Sequence, residues 1–286
     1  MKLLHLGKPT EGDEFFYKRW ETFGKVFKSL SEAANSVNEI EVVILDQYTI
    51  FDDQHLNIFP RLKYIISPTT GHTHLQYSQE KFSGDCLTLK GETEFLSGIT
   101  TVADFTIYLM LRLAREVGPY PISLKGKKLG ILGMGRIGKH VAERATTMGM
   151  EVKEFDKGHN QYYLKGLFIS CDFISVHLEE NEHTKWMVSK SLLYNMKPTA
   201  YFINTARGSI VNESALMNAL IKKKIQGAAV DVRESHYYLN SRTPNLIITD
   251  HIAGRALEDR IATDEFMVTK LKENLLYTIR KQTEMF

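Results

Sequence analysis

The residue types best able to do chemistry sit in two short stretches. His251 stands in ITDHIAGR (248–255), after the apolar run NLIIT and before Ile252-Ala253-Gly254. A titratable ring at the exit of a buried strand is either a satisfied core histidine or a working acid. Imidazole suits the second role because its ordinary pKa lies near neutrality. The other stretch is KLGILGMGRIGKHVAERATTMGMEVKEFD, where Gly133, Gly135 and Gly138 spell G-x-G-x-x-G. That motif is weak alone, but here an apolar strand precedes it and a helical pattern follows. Ile137, Val141, Ala145 and Met148 share one face, and Gly149 stops the pattern.

A second strand then ends in Asp156, 18 residues after Gly138, close to the spacing of a dinucleotide fingerprint. Gly133 makes the tight turn, Gly135 lets a pyrophosphate reach the backbone, and Gly138 lets helix and strand pack closely. The helix start at Arg136 and Ile137 offers N–H groups and a positive dipole end. Asp156 would accept from a ribose 2′-hydroxyl and repel a 2′-phosphate, favouring NAD over NADP, with Lys157 softening the preference. The competing reading is a glycine-rich turn that binds nothing; the acid closing the second strand is hard to explain that way.

The elements that must position these residues alternate. KLLHL (2–6), EVVIL (41–45), LKYIIS (62–67) and CLTLK (86–90) read as strands. A nearly all-apolar helix follows over 99–117, and then a second strand series: KLGIL (128–132), EVKEF (151–155), DFISVHL (172–178), AYFINTA (200–206), GAAVDV (227–232) and LIITD (246–250). Strands alternating with helices imply parallel sheets with right-handed crossovers. Four strands and six exceed one ordinary sheet, so the chain divides at the long helix. A closing helix occupies 256–281, with Leu257, Ile261, Val268, Leu271, Leu275 and Ile279 at mostly helical spacing; its pattern does not say which domain it packs on.

Bulk properties exclude several classes. The 286 residues carry a formal net charge of +2, too small to draw nucleic acid or an anionic membrane. The brief basic clusters KGKK (125–128) and KKK (222–224) read as solvated element ends. No run approaches the roughly 18 apolar residues of a membrane span. Cys86 and Cys171, two and far apart, suit a reducing compartment, so the expectation is a cytoplasmic protein.

NTARGSIVNESALMNALIKKKIQGAAVDV (204–232), ITDHIAG (248–254) and the glycine-rich stretch together resemble the signature segments of the D-isomer-specific 2-hydroxyacid dehydrogenases, with weaker likeness in ISPTTGHTHL (66–75). The resemblance implies an NAD-dependent α/β enzyme of two domains. One is a Rossmann-type doubly wound sheet (99–254); the other is a smaller flavodoxin-like substrate domain (1–98, completed by 255–286). It also implies a homodimer built partly on the 99–117 helix. Arg207 matches the arginine that grips the carboxylate of a 2-hydroxy or 2-keto acid, a task suited to a permanently charged planar fork. Thr70 and Gly71 fall on the loop whose backbone N–H groups hold that carboxylate. Asp231 matches the aspartate contacting the nicotinamide carboxamide. Thr205 and Ala206 line the nicotinamide side, and His177 and Gly254 also fall on the cofactor side. Val102-Ala103-Asp104 resembles a Val-Ala-Glu stretch beside the cofactor. His251 matches the acid that protonates the carbonyl oxygen as hydride arrives.

The chain departs from the pattern where that histidine's carboxylate partner should be. DVRESHYYLN (231–240) places His236 at the aligned glutamate and Tyr237 at the following proline. A carboxylate raises an imidazole's pKa; a second imidazole does not do so by charge. His236 is then a coupled partner, or Glu234 swings in instead, or the dyad is lost and the protein binds NAD(H) without turnover. Glu179-Glu180 replaces a common Pro-Leu, and 156–172 leaves little room for a crossover helix. Asp250, pointing away from its neighbour in a strand, is a poor partner for His251. His72 and His74 flank Thr73 like a small metal clip, but with no carboxylate or cysteine cluster near they read as a polar loop tip. Cys171 reads as a buried structural thiol. Tyr237 and Tyr238 either line the substrate site or close the loop.

Overall fold

Apolar runs of four or five residues become strands, and the polar or amphipathic stretches between them become helices. The computed structural model describes residues 1–7, 13–46, 48–234 and 245–283. The chain divides into two compact units, Met1–Ile99 with Leu257–Phe286, and Thr100–Ala256.

The first unit runs β1 (Lys2–Leu6), α1 (Asp13–Trp20), β2 (Lys25–Phe27), β3 (Val42–Leu45), β4 (Phe51–Asp52), α2 (Asp53–Ile58), β5 (Tyr64–Ser67), β6 (Leu75–Gln76), β7 (Asp85–Thr88) and α3 (Thr93–Ser97). Its main sheet has the order β2-β1-β3-β5-β7, all parallel. β2 lies outside the strands that the sequence predicts, as does the two-residue parallel pair β4 and β6. Successive residues face opposite sides of a strand, so Leu3, Val42 and Ile44 meet Phe16, Tyr17 and Trp20 of α1 on one face. Leu4, Val43 and Leu45 meet Phe51 and Phe59 on the other. Both faces are covered, which is why the strands read as continuous apolar runs. The closing helix proves to be Leu257–Thr283 and packs in this unit, with Met267, Val268 and Leu271 buried in the same cluster as α1.

The second unit runs α4 (Thr101–Glu116), β8 (Lys128–Leu132), α5 (Arg136–Thr147), β9 (Glu151–Phe155), α6 (Gln161–Ser170), β10 (Phe173–Val176), α7 (Lys190–Asn195), β11 (Tyr201–Asn204), α8 (Glu213–Ile221), β12 (Gly227–Val230) and β13 (Leu246–Ile248); the helix closing the first unit is α9. Its parallel sheet has the order β13-β12-β11-β10-β8-β9. Helices α4 and α5 cover one face through Leu109, Met110, Leu113, Val141 and Ala145. Helices α6 and α8 cover the other through Leu164, Phe168, Leu216 and Leu220. The fold class is thus doubly wound α/β with parallel sheets.

Two expectations change. The ten-residue α6 does fit between Asp156 and Asp172; what the short segment leaves out is a strand beyond β9, which therefore forms the sheet edge. Asn160 starts that helix by accepting from Tyr163 N at 3.0 Å. Also, among the described residues one stretch, Thr93–Glu116, is by length and composition apolar enough to cross a membrane, at mean hydropathy 1.2. Within it α4 is not apolar all round. Ala103, Thr106, Leu109, Met110 and Leu113 form a buried stripe, while Tyr108 is 48% exposed, the pattern of a helix laid on a sheet.

Candidate active site

Both candidate clusters lie at the carboxyl ends of strands in the second unit, where open parallel sheets bind ligands. The first is built on the turn from β8 to α5. Gly133 has φ +97°, a left-handed conformation that L side chains rarely adopt, and a Cβ there would lie 2.7 Å from the His177 carbonyl oxygen. A Cβ on Gly138 would lie 2.0 Å from the Gly133 carbonyl oxygen, so helix and turn touch backbone to backbone. Gly135, at the helix N-cap, faces open space. The first turn of α5 contains Arg136 and no acid, so its dipole end is free of a competing carboxylate. Ile137 is half-buried behind it.

Asp156 follows β9 and is held by that same turn: its Oδ2 accepts from Met134 N at 3.3 Å and its Oδ1 from Lys157 N at 2.8 Å. His159 Nδ1 accepts from Asp156 N at 3.1 Å, and its ring stacks on Tyr163 at 4.3 Å. His177 follows β10, its Nε2 2.8 Å from the buried Ser175 Oγ. Loss of hydration pushes its pKa down to about 3, so the ring is neutral. A cradle that a side chain on Gly135 would fill, at a helix start with no acid and beside a carboxylate, fits a dinucleotide.

The second cluster gathers residues after β11, β12 and β13. Asn204 is buried and brackets the turn after β11: its Oδ1 accepts from Ala206 N at 3.0 Å and its Nδ2 donates to Arg207 O at 3.0 Å. Arg207, half-buried, donates from Nη1 to Ala206 O at 2.7 Å. Thr205 Oγ1 lies 3.0 Å from Thr106 Oγ1. Because the Thr106 hydroxyl donates to Val102 O at 2.7 Å, Thr205 is the donor of that pair. Val102 Cγ2 in turn lies 3.7 Å from where a Cβ on Gly254 would stand.

Asp231 is 1% exposed, and its carboxylate is the hub of the His251 turn. Oδ1 accepts from Thr249 Oγ1 at 2.5 Å and Ile252 N at 2.9 Å, and Oδ2 from Ala253 N at 3.0 Å. The Asp231 carbonyl also accepts from His251 N at 2.9 Å.

These bonds hold His251 at φ +52°, a conformation uncommon outside glycine, though one that asparagine, aspartate and histidine enter more readily than other side chains. Burial lowers the ring's pKa most, Asp231 raises it, and Arg207 and Arg255 lower it further. Asn204 and Thr249 escaped the sequence reading. A buried polar residue closing an apolar strand was the available signal.

His236, Tyr237 and Tyr238 lie outside the described residues. Glu234, the other proposed partner, turns its Oε2 to the Trp186 indole N–H at 3.0 Å, and its own N–H donates to Glu213 Oε1 at 2.6 Å. Asp250 pairs with Arg233 at 2.6 Å. Glu180 accepts from Ser209 Oγ at 2.5 Å. Cys171 is fully buried, which pushes its thiol up.

In the first unit Thr70 is exposed and Gly71 half-buried on the loop after β5. Among the described residues the N–H groups of 70 and 71 take no intramolecular partner. His74 is not a polar loop tip: its ring is buried on Ser67, Nε2 to Oγ 2.8 Å.

Residues 111–253 match the family model described as D-isomer specific 2-hydroxyacid dehydrogenase, NAD binding domain. A glyoxylate reductase of Thermococcus litoralis is 29% identical, covering 85% of this chain and 82% of that one. A glyoxylate reductase of Aeropyrum pernix is 30% identical, covering 87% and 82%. The D-lactate dehydrogenase from Aquifex aeolicus, solved with NAD and lactic acid, shares the fold at TM-score 0.77 and 22% identity, over 98% of this chain and 97% of that one. The chain therefore belongs to the D-isomer specific 2-hydroxyacid dehydrogenase family, NAD-dependent oxidoreductases of 2-hydroxy acids.

Proposed function

We propose that the protein reduces a small 2-keto acid to its D-2-hydroxy acid with NADH, glyoxylate being the first substrate to test because the similar reductases carry that name. The observation that carries the reading is the His251 turn: a half-buried imidazole held in a left-handed conformation by three donors to one buried carboxylate. A conformation of that cost persists where the surroundings over-determine it.

Bound NADH supplies the hydride. Gly133, Gly135, Arg136, Ile137 and Gly138 cradle its pyrophosphate, Asp156 takes the adenine ribose, and Val102, His177, Thr205, Ala206, Asp231 and Gly254 bound the rest of the cofactor. Arg207 grips the substrate carboxylate; the Thr70 and Gly71 N–H groups, on the loop after β5, are the first unit's carboxylate donors. His251 gives its ring proton to the carbonyl oxygen as charge develops there, and takes it back in the oxidative direction. Because burial and two arginines outweigh Asp231, the donor form is populated below the ordinary imidazole range. Reduction should then be fastest in mild acid and fall as pH rises.

The test is loss of NADH absorbance with a panel from glyoxylate to hydroxypyruvate and pyruvate, for the wild type and His251→Asn. Asparagine tolerates the left-handed backbone, so the variant removes the proton without the strain. Turnover should fall about 10²–10⁴-fold with NADH affinity kept. A variant as active as the wild type would end the reading, and NADH binding without turnover in the wild type would favour a non-catalytic binder.

A further inference from the structure

Beyond the residues assigned above, we propose that His74 is a positioning residue for the substrate carboxylate: a one-way hydrogen-bond relay from its buried ring fixes the peptides that present the loop's N–H donors. The inference rests on the proposed role of the 70–71 loop.

The direction of the relay follows from donor counting. Thr69 Oγ1 lies 2.8 Å from the Gly71 carbonyl oxygen, which only accepts, so the Thr69 hydroxyl spends its single hydrogen there. Ser67 Oγ, 3.0 Å from Thr69 Oγ1, must then be the donor of that pair. With its hydrogen committed, Ser67 accepts from His74 Nε2 at 2.8 Å. The ring is therefore the Nε2–H form, and protonation at Nδ1 would leave this direction unchanged. Burial pushes its pKa down, His72 adds to that and Asp46 opposes it. Ser67 is fully buried and His74 is 6% exposed, so water does not compete for the bond between them.

Two carbonyls of the loop are thus tied to the framework. Gly71 O is held by the relay, and Thr69 O accepts from Leu89 N at 3.0 Å, next to β7. Among the described residues no peptide bond is cis, and in a trans peptide the N–H points opposite the carbonyl. Holding Thr69 O and Gly71 O inward turns the Thr70 and His72 N–H groups, which flank that of Gly71, outward, so the relay sets the donor on either side of it. Neither N–H has an intramolecular partner among the described residues. Each link in the relay polarises the next, which also strengthens the His72 N–H as a donor.

The experiment measures oxamate, an unreactive isostere of a small 2-keto acid, binding to the NADH-loaded enzyme by calorimetry. His74→Leu keeps bulk without a donor, His74→Gln reaches about as far as Nε2 with a donor, and Ser67→Ala cuts the relay one link later. Oxamate affinity should fall about tenfold in His74→Leu and in Ser67→Ala. The double variant should be no weaker than either alone, because both break one chain. His74→Gln should recover most of the loss. NADH affinity and kcat at saturating substrate should stay within about twofold. Unchanged oxamate affinity in folded variants would overturn the relay, as would a fully additive double variant or a His74→Gln as weak as His74→Leu. Oxamate binding without wild-type turnover would sink the acid–base role of His251 and leave the relay to be judged on affinity. A wild type that does not bind oxamate overturns both.

Discussion

The two sheets match strand for strand over five positions and diverge at one turn. Numbered within each unit, both have the order 2-1-3-4-5, parallel throughout, with the switch between the first and third strands. Leu6 pairs with Leu45 at the end of that switch in the first unit, and Leu132 with Val176 in the second. The next residues are Gly7 and Asp46 in one, Gly133 and His177 in the other. In the second unit three residues separate β8 from α5, and the chain closes on itself through Gly133 and Gly138. In the first unit six residues separate Leu6 from the start of α1 at Asp13. There Asp46 Oδ2 lies 2.7 Å from where a Cβ on Gly7 would stand, and Asp46 Oδ1 accepts from Tyr48 N and Thr49 N. A neutral imidazole borders one crevice and a carboxylate occupies the other. One topology therefore carries different side chains at its switch point in the two units.

The comparison breaks most visibly at His177. His177→Asp places at the second switch the charge type found at the first, where two phosphates are to sit. NADH affinity should fall at least tenfold, since like charges about 4 Å apart near a protein surface cost several kcal/mol. Fluorescence titration measures it; an unchanged affinity would show that the crevice's charge is not what separates the sheets.

A smaller effect tests the sixth strand, which only the second sheet has. β13 brings the His251 turn beside Asp231, after β12. Asp231 is the group that raises the His251 pKa. Asp231→Asn should move the descending, high-pH limb of kcat/KM for reduction to lower pH, by about one unit. A limb that stays put would mean that Asp231 shapes the turn without tuning its charge. Smallest of all is Asp46→Asn. Asn keeps an oxygen for the Tyr48 and Thr49 N–H groups, so stability should change by under about 1 kcal/mol. NADH should still bind one per chain, because removing a charge builds no glycine turn. A second equivalent bound would show that the carboxylate alone had kept nucleotide out.

Periodicity and turn chemistry made most of the frame legible. Ten strand candidates correspond to ten of the main-sheet strands within a residue or two, because strands buried on both faces stand out as unbroken apolar runs. β2 did not, being three residues, KVF, of which only Val26 and Phe27 are buried. A residue count hides α6, because the short segment drops a strand and keeps the helix. Near the site, types and spacing picked out Gly133, Gly138 and Asp156, because each answers a local constraint; for His251 they left a core histidine and a working acid both open, and the resemblance chose between them. The roles of Asp231 and His74 as hydrogen-bond hubs were not legible. Asp231 takes its donors from residues 249, 252 and 253, and His74 acts through Ser67, seven residues away. Such bonds depend on tertiary placement that no sequence period records.

The missing strand beyond β9 has a consequence outside cofactor chemistry. An edge strand presents a row of peptide groups to any passing chain, and its own copies are the nearest candidates. Three of the five residues in β9 are charged: Glu151, Lys153 and Glu154. Lys128 and Lys153 both approach Glu151 at 3.7 Å. A second β9 laid alongside would have to desolvate those charges to zip up. What guards this edge against runaway polymerisation is therefore written into the strand itself, and trading those charges for apolar residues would turn a quiet border into a sticky one.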